Sequence, residues 1–388
     1  MLLAEARGIL EFNASLLLSP LLLRAPRGDG HPVLTLPGFL ASDLSMLPMR
    51  RYLNELGYLS HAWKMGRNIG GVSRMRAALR DRLGEIHAAT GRKVLANSRG
   101  CAGGYRTSYA SVSAAPLAVD EHGQMQRDGW WSAGRSFAHL ESPEAVGKEA
   151  ARRTLRRLGA RKVPTQRVPI VFAPEVARTL IGSVFEAASG DAIWRSASFL
   201  AGKLGAQIAA PTLNLIDDNT MLLPSGAGGF GTSPFDGEGL PSRRTVVVEK
   251  GILQSYLLNT YTARKLGMKS THNASRGLAG TPGIGCGNLY LEPGALTPEQ
   301  IIGDVAAGLY VTSLMGFGVN VVTGDYSRGA TGLWIENGQL THAVEEVTIA
   351  GNLAEMLQYV TSIGNDLVFR GAVASPTLRI DGMTIAGA

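Results

Sequence analysis

The sequence predicts an α+β fold built on a large antiparallel or mixed sheet with flanking helices. Three observations predict it. Turn dipeptides separate β-prone runs: Asn337-Gly338 lies between "TGLWIE" and "QLTHAVEEVTIAG", Lys250-Gly251 between "RRTVVVE" and "ILQSYLL", and Asp381-Gly382 between "PTLRI" and "MTIAG". Helical periodicity with start and stop signals marks residues 143–158 and 174–188. Glycine supplies 49 of 388 residues without a collagen period, the composition of a chain with many tight turns.

The chain begins with a different pattern. Residues 32–36, "PVLTL", form a short β-prone run, and Pro37-Gly38-Phe39 turns the chain. A helix is predicted over 44–57, a second strand over 60–63 and a second helix over 74–90, closed by Gly91. Strand, helix, strand, helix is the start of a parallel α/β unit. Residues 14–23 are apolar but interrupted by Ser19 and Pro20, preceded by Glu5 and Glu11, and too short to span a bilayer, so they are predicted to be a packing helix.

Charge divides the chain at the same place. The net charge is +7, and residues 1–93 carry 13 Lys/Arg against 7 Asp/Glu, whereas residues 94–388 carry 25 against 24. Arg74, Arg76, Arg80 and Arg82 fall on one predicted helix with no interleaved aromatics, which is a solvated helix face and not a nucleic-acid stripe. Two cysteines, Cys101 and Cys286, exclude a disulfide scaffold and a Cys-rich zinc module and suit a reducing cytosol.

In the later segment, Ser142 caps a helix that starts at Pro143 and stops at Gly159, with Arg152, Arg153, Arg156 and Arg157 near its end complementing the helix dipole. The helix over 174–188 puts Val176, Leu180, Ile181, Val184 and Phe185 on one face. A third helix is predicted over 298–309. Residues 377–380 alternate in the period-2 pattern of a half-buried strand. The Gly/Ser/Pro-rich stretch 224–244 reads as a long loop, on the surface or over a groove.

Two resemblances follow from longer motifs. "HPVLTLPGFLASDLSMLPMRRYLNELGY" resembles the opening of an α/β-hydrolase, and Ala96-Asn97-Ser98-Arg99-Gly100 has the spacing of that family's nucleophile turn. A serine esterase using Ser98 is therefore an alternative reading, although the "CAGGYRTSYASVSAAPLAV" that follows is β-prone and not the helix such a turn must feed. The tract "GFGVNVVTGDYSRGATGLWIENGQLTHAVEEVTIAGNLAEMLQYVTSIGNDL" and the ending "SPTLRIDGMTIAG" closely resemble the PmbA (TldE) branch of the TldD/PmbA metallopeptidase family. "LANSRGCAGGYR", "MQRDGWW", "SPEAVGKEAARRTLRRLGARKVPT", "SPFDGEGL" and "TARKLGM" agree with it. The resulting division is 1–93 as a hydrolase-like fragment, 94–165 as the remainder of the family's N-terminal and middle region, and 166–388 as its C-terminal domain. The join near residue 93 reads as a gene fusion, a mis-assembled gene or a pseudogene product.

The family resemblance implies a cytoplasmic TldD–TldE protease, a zinc metallopeptidase acting on unfolded peptides in leader-peptide or antitoxin processing. It implies zinc on the TldD-like partner, bound by His-Glu-x-x-x-His on a helix with a Cys near the C-terminus. Here the matching helix begins "PEVART": Glu175 remains, but Pro174 and Thr179 stand where the histidines would be, and "DLVFRGAVASPTLRI" holds no Cys. The seven histidines show no metal-ligand spacing. The expectation is a partner subunit with no catalytic residue and no metal ligand of its own. Its expected substrate-groove residues are Asn320, Thr323, Asp325, Tyr326, Ser327 and Arg328.

Overall fold

A computed structural model describes residues 32–35, 42–62, 64, 92–96, 102–277 and 280–387. They belong to two compact units, Met1–Thr107 with Arg276–Thr281, and Ser108–Ser275 with Pro282–Ala388.

In the first unit, strands β1 (Pro32–Leu34) and β2 (Leu59–His61) pair in parallel, with Val33 opposite Ser60. Helix α1 (Leu47–Glu55) connects them, as the sequence predicts. The chain leaves α1 through Gly57 at φ 91°, a left-handed turn that glycine adopts without steric cost. Strands β3 (Arg92–Ala96) and β4 (Ala102–Arg106) pair antiparallel, with Ala96 opposite Ala102. The chain therefore returns after residue 96 as a strand. A nucleophile elbow requires a strand feeding a helix, so the Ser98 esterase reading loses its structural basis. Ser98, residues 14–23 and the helix predicted over 74–90 lie outside the described residues.

The second unit is organised around a five-stranded ring. Strand β9 (Gln166–Phe172) runs parallel to β16 (Ala307–Met315), with Leu309 opposite Ile170. β16 pairs antiparallel with β17 (Asp325–Glu336), and β17 with β18 (Gln339–Asn352). Strand β21 (Leu378–Ala386) pairs with β9 on one side and with β18 on the other, which closes the ring. Closure removes the hydrogen-bonding edge that an open sheet leaves exposed. β19 (Val360–Ile363) adds to the first half of β21.

The hairpin signals resolve differently. Asn337 (φ 49°) and Gly338 (φ 75°) make the tight β17–β18 turn, and Lys250 (φ 48°) and Gly251 (φ 77°) turn β11 (Arg244–Glu249) into β12 (Ile252–Leu253). Asp381-Gly382 does not make a hairpin. β21 runs through it, and a register shift between Ile380 and Met383 lets both halves pair with β9. The predicted third helix is also shorter: it spans Pro298–Gly303 behind a Thr297/Gln300 capping box, and by Ala307 the chain is strand β16. Pairing of Leu309 with Ile170 overrides the local helical pattern there.

A second sheet has the order β12-β11-β10-β15-β20, with β10 at Leu215–Asp218, β15 at Leu289–Leu291 and β20 at Val373–Ala374. Helix α3 (Pro174–Ala188) packs against β20 and β15 of this sheet and against β16 of the ring. It buries Val176, Ala177, Leu180, Ile181, Val184, Ala187 and Ala188, at the spacing of a 3.6-residue repeat. Phe172, Leu289, Leu309 and Ile380 share one core with it. Helix α2 (Pro143–Leu155), capped by Ser142, packs on the antiparallel pair of β5 (Ala110–Ala114) and β8 (Trp130–Gly134), between which β6 (Leu117–Val119) and β7 (Met125–Arg127) pair with each other, as β13 (Ala274–Ser275) and β14 (Gly283–Ile284) do further on.

The stretch 224–244 is tied down throughout. Asp236 is buried and accepts hydrogen bonds from the Glu238, Leu240 and Ala274 N–H groups. Asn288 receives the Gly231 N–H at 2.9 Å and donates to Thr232, while Arg135 donates to the Gly229 carbonyl. Buried amides fix this loop against the second sheet.

Candidate functional site

The start of α3 is the position where the sequence comparison directs attention. Strand β9 ends at Phe172, Ala173 is the N-cap, and Pro174 opens the helix with its φ already suited to it. A cleft there is lined by Trp131, Pro174, Glu175, Arg178, Val368, Arg370 and Ala374. Four parts of the second unit supply these side chains: β8, α3, the segment before β20, and β20 itself.

Arg153 of α2 reaches this region from behind. Sequence reasoning assigns it to the helix dipole along with its neighbours, but the structure turns it inward. Its side chain is 7% exposed and donates to Glu175, itself 8% exposed; Asp128 lies 3.5 Å away on the other side. A buried carboxylate needs such a partner, because desolvating an unpaired charge costs several kcal/mol or more. Of the remaining arginines, Arg152 is exposed and pairs with Glu149 one turn back, while Arg156 and Arg157 are half-buried, Arg157 donating to the Arg127 carbonyl. Burial, with the charges of Arg152 and Arg153, lowers the Arg156 guanidinium from its ordinary range. Burial first, then the Glu175 charge, pushes the Tyr310 hydroxyl up to about 12.

Guanidinium groups stack on the two tryptophans. Arg370 lies 4.1 Å above the Trp130 ring and Arg153 5.0 Å from it. Arg178 lies 5.7 Å and Arg370 6.0 Å from the Trp131 ring. Trp130 donates its ring N–H to Glu141 at 3.1 Å, and Glu141 also meets Arg370 at 3.4 Å. Stacking of this kind holds a guanidinium plane in one orientation and is worth about 0.5–2 kcal/mol per contact.

These residues do not fit a zinc ion. A catalytic zinc needs three protein ligands of the His, Cys or carboxylate kind. Among the described residues no three such side chains come together. Glu175 is engaged by Arg153, and Arg178 and Arg370 border the same cleft with positive charge. Cys286 is not part of any such group; desolvation first, then the nearby Asp217 charge, pushes its thiol up to about 12.

The six expected groove residues sit at the turn from β16 into β17, and they do not share a face. Asp325 and Ser327 are exposed, but Tyr326 between them is 2% exposed and belongs to the core, since successive strand residues point to opposite sides. Thr323 donates to Asp325 at 2.6 Å, Asn320 accepts the Val322 N–H, and Asn352 donates to the Thr323 carbonyl, so these polar groups close the turn on itself. Arg328 is half-buried. The cleft residues Trp131, Arg178 and Arg370, and their neighbours Trp130 and Arg153, escape motif reasoning. The available signal was the presence of arginine within the two stretches, "PEVART" and "DLVFRGAV", where ligands were sought.

A second polar cluster lies under the sheet. Asp217 is 1% exposed; it accepts from Asn273 at 2.6 Å and from the Gly287 N–H at 2.8 Å. Burial pushes its carboxyl up to about 6. Gly287 has no room for a side chain, because a Cβ would collide with the buried Asn219 amide.

A ring of strands and a second sheet share one central helix, with a cleft at that helix's start and, among the described residues, no group of three side chains that could hold a metal ion. Residues 165–387 match the PmbA/TldA metallopeptidase C-terminal domain, and residues 68–158 match the central domain. The chain belongs to this family. It is 40% identical to the metalloprotease PmbA of Escherichia coli over 304 residues, 78% of this chain and 64% of that protein. The chain therefore spans less than two thirds of that relative's length. A metalloprotease TldD homolog of Haemophilus influenzae is 28% identical, over 69% of this chain and 60% of its own. The crystal structure of TldE from Thermococcus kodakarensis superposes with a TM-score of 0.68 and 25% identity, over 76% of this chain and 67% of that one. The central-domain match begins at residue 68, not at the charge break, so the expected join near 93 falls inside family sequence. A hydrolase-like fragment reaching to residue 93, and a gene fusion at that point, find no support in these matches.

Proposed function

We propose that the chain is the TldE/PmbA-like subunit of a TldD–TldE-type zinc metallopeptidase that cleaves unfolded peptides, such as leader peptides or antitoxins, in the cytoplasm. In this reading zinc and the catalytic water reside on a TldD-like partner, and this chain completes a heterodimer. The observation that supports it most is the start of α3: the one carboxylate of the expected motif is bound to Arg153, and guanidinium groups stand around it. The greater likeness to PmbA than to the TldD homolog points the same way. No described helix is long and apolar enough to cross a membrane. The exposed Asn320, Thr323, Asp325 and Ser327 remain candidates for contact with an extended peptide.

Mixing supplies the test. The chain is combined with a TldD-like subunit that carries His-Glu-x-x-x-His, and hydrolysis of an unfolded peptide is followed. The expected result is co-elution of the two chains, no cleavage by this chain alone, and cleavage by the pair that a chelator stops. Failure to pair, or cleavage by this chain alone, contradicts the proposal.

A further inference from the structure

We propose that the cleft at the start of α3 is a carboxylate-binding site, with Arg178 and Arg370 as its clamp and the Trp131 indole as its floor. The charges around the cleft support an anion. Arg153 is consumed internally by Glu175 and Asp128. Glu141 is shared between the Trp130 ring N–H and one terminal nitrogen of Arg370. Arg178 donates its Nε to the Glu175 carbonyl at 3.2 Å and meets no acidic side chain among the described residues. The Arg370 Nε is buried without an acceptor among them. Leaving a buried guanidinium N–H without an acceptor is costly, and guanidinium groups bind an oxyanion through charge-assisted hydrogen bonds.

Geometry adds to charge. Arg178 lies 5.7 Å from the Trp131 ring, and Arg370 lies 4.1 Å above Trp130 and 6.0 Å from Trp131, so the two indoles set the guanidinium orientations before a ligand arrives. A planar guanidinium held on an aromatic face keeps its N–H edges free for a carboxylate. The helix behind them is 15 residues long and opens with Pro174 and Glu175, which line the cleft; its N-cap, Ala173, bonds the Val176 N–H through its carbonyl, and its methyl side chain gives the Glu175 N–H no cap. The positive end of the helix therefore faces the same space. Ala374 of β20, the last strand in the order of the second sheet, also borders the cleft, so an extended main chain has a strand to follow.

The chemical class is a carboxylate on a peptide, either the C-terminal one or an acidic side chain. Its attachment to a peptide rests on the function proposed above; the preference for an anion does not. Three N-acetylated tetra-alanine-type probes separate the cases: the free acid, its amide, and an amide carrying one glutamyl side chain. Binding to the intact chain is read by calorimetry and by tryptophan fluorescence. The free acid or the glutamyl amide is expected to bind about tenfold or more tightly than the plain amide, and the tighter of the two identifies the carboxylate's source. Arg178→Gln and Arg370→Gln should each erase that preference. Equal affinity for all three probes, or an undiminished preference in Arg178→Gln, overturns the site. The probe comparison uses the unaltered chain, so a variant that fails to fold does not affect it. A chain that pairs with its partner and supports cleavage but shows no acid preference sinks the site alone. A chain that prefers the acid but does not pair keeps the site and sinks the proposed role.

Discussion

Replacing Arg153 with methionine is expected to lower the unfolding free energy by about 3–5 kcal/mol, the range for removing one partner of a buried ion pair. The loss has two parts. Glu175, 8% exposed, is left without its cation, and Asp128 loses a neighbour at 3.5 Å. The guanidinium also leaves the Trp130 ring, where it lies 5.0 Å from the centroid. The double variant Arg153→Met/Glu175→Leu removes both charges together, so it should recover roughly half of the loss or more. Urea denaturation of the parent, the single and the double variants measures this. A single variant within about 1 kcal/mol of the parent would show that Glu175 is not held by Arg153, and Glu175 would regain the freedom of a general base.

The second large effect belongs to Asp217. Its carboxyl has a folded-state value near 6 against an ordinary 3.8, with burial the main cause. The fold thus favours the protonated form. Stability from this group is complete below about pH 4, falls as the pH rises through about 6, and is then lower by about 3 kcal/mol. Asp217→Asn cannot ionise and lacks this slope. It also places an amide N–H₂ opposite the Asn273 amide, a mismatch that costs about 1–3 kcal/mol at every pH. The slope and the offset are therefore separable. Denaturant titrations of both proteins at pH 4.5, 6 and 7.5 should show the difference between them shifting by about 2–3 kcal/mol in favour of the variant. A difference that stays constant with pH would contradict a buried, protonatable Asp217.

What the sequence made legible was local. Ser142 before Pro143, the 3.6-residue spacing over α3 and the Asn337-Gly338 turn each depend on residues within one or two turns of each other, and each appears in the structure. Asp381-Gly382 has the same turn chemistry as Asn337-Gly338 but sits in a continuous strand. The difference is made by β9, which pairs with the residues on both sides of it. Pairing with β9 likewise takes Leu309 out of the predicted helix. Ring closure between β18 and β21 has no local signature, because Ile349 and Ile385 become neighbours only through the fold. The site follows the same rule. Its motif residues were readable as substitutions, Pro174 and Thr179 in place of histidines. The residues that occupy the space came from three separate stretches: Trp130 and Trp131, Arg153, and Arg370. Arg153 was visible, but its neighbours Arg152, Arg156 and Arg157 made it look like one more surface charge.

The central claim is that the residues described at the start of α3, where guanidinium groups surround Glu175, do not fit a zinc ion. Metal analysis of the purified chain after incubation with zinc and exhaustive dialysis tests it most directly. The expected result is zinc far below one equivalent per chain, with no peptide hydrolysis that a chelator can stop. One tightly retained zinc per chain, removed only by a chelator and required for cleavage by this chain alone, would contradict it.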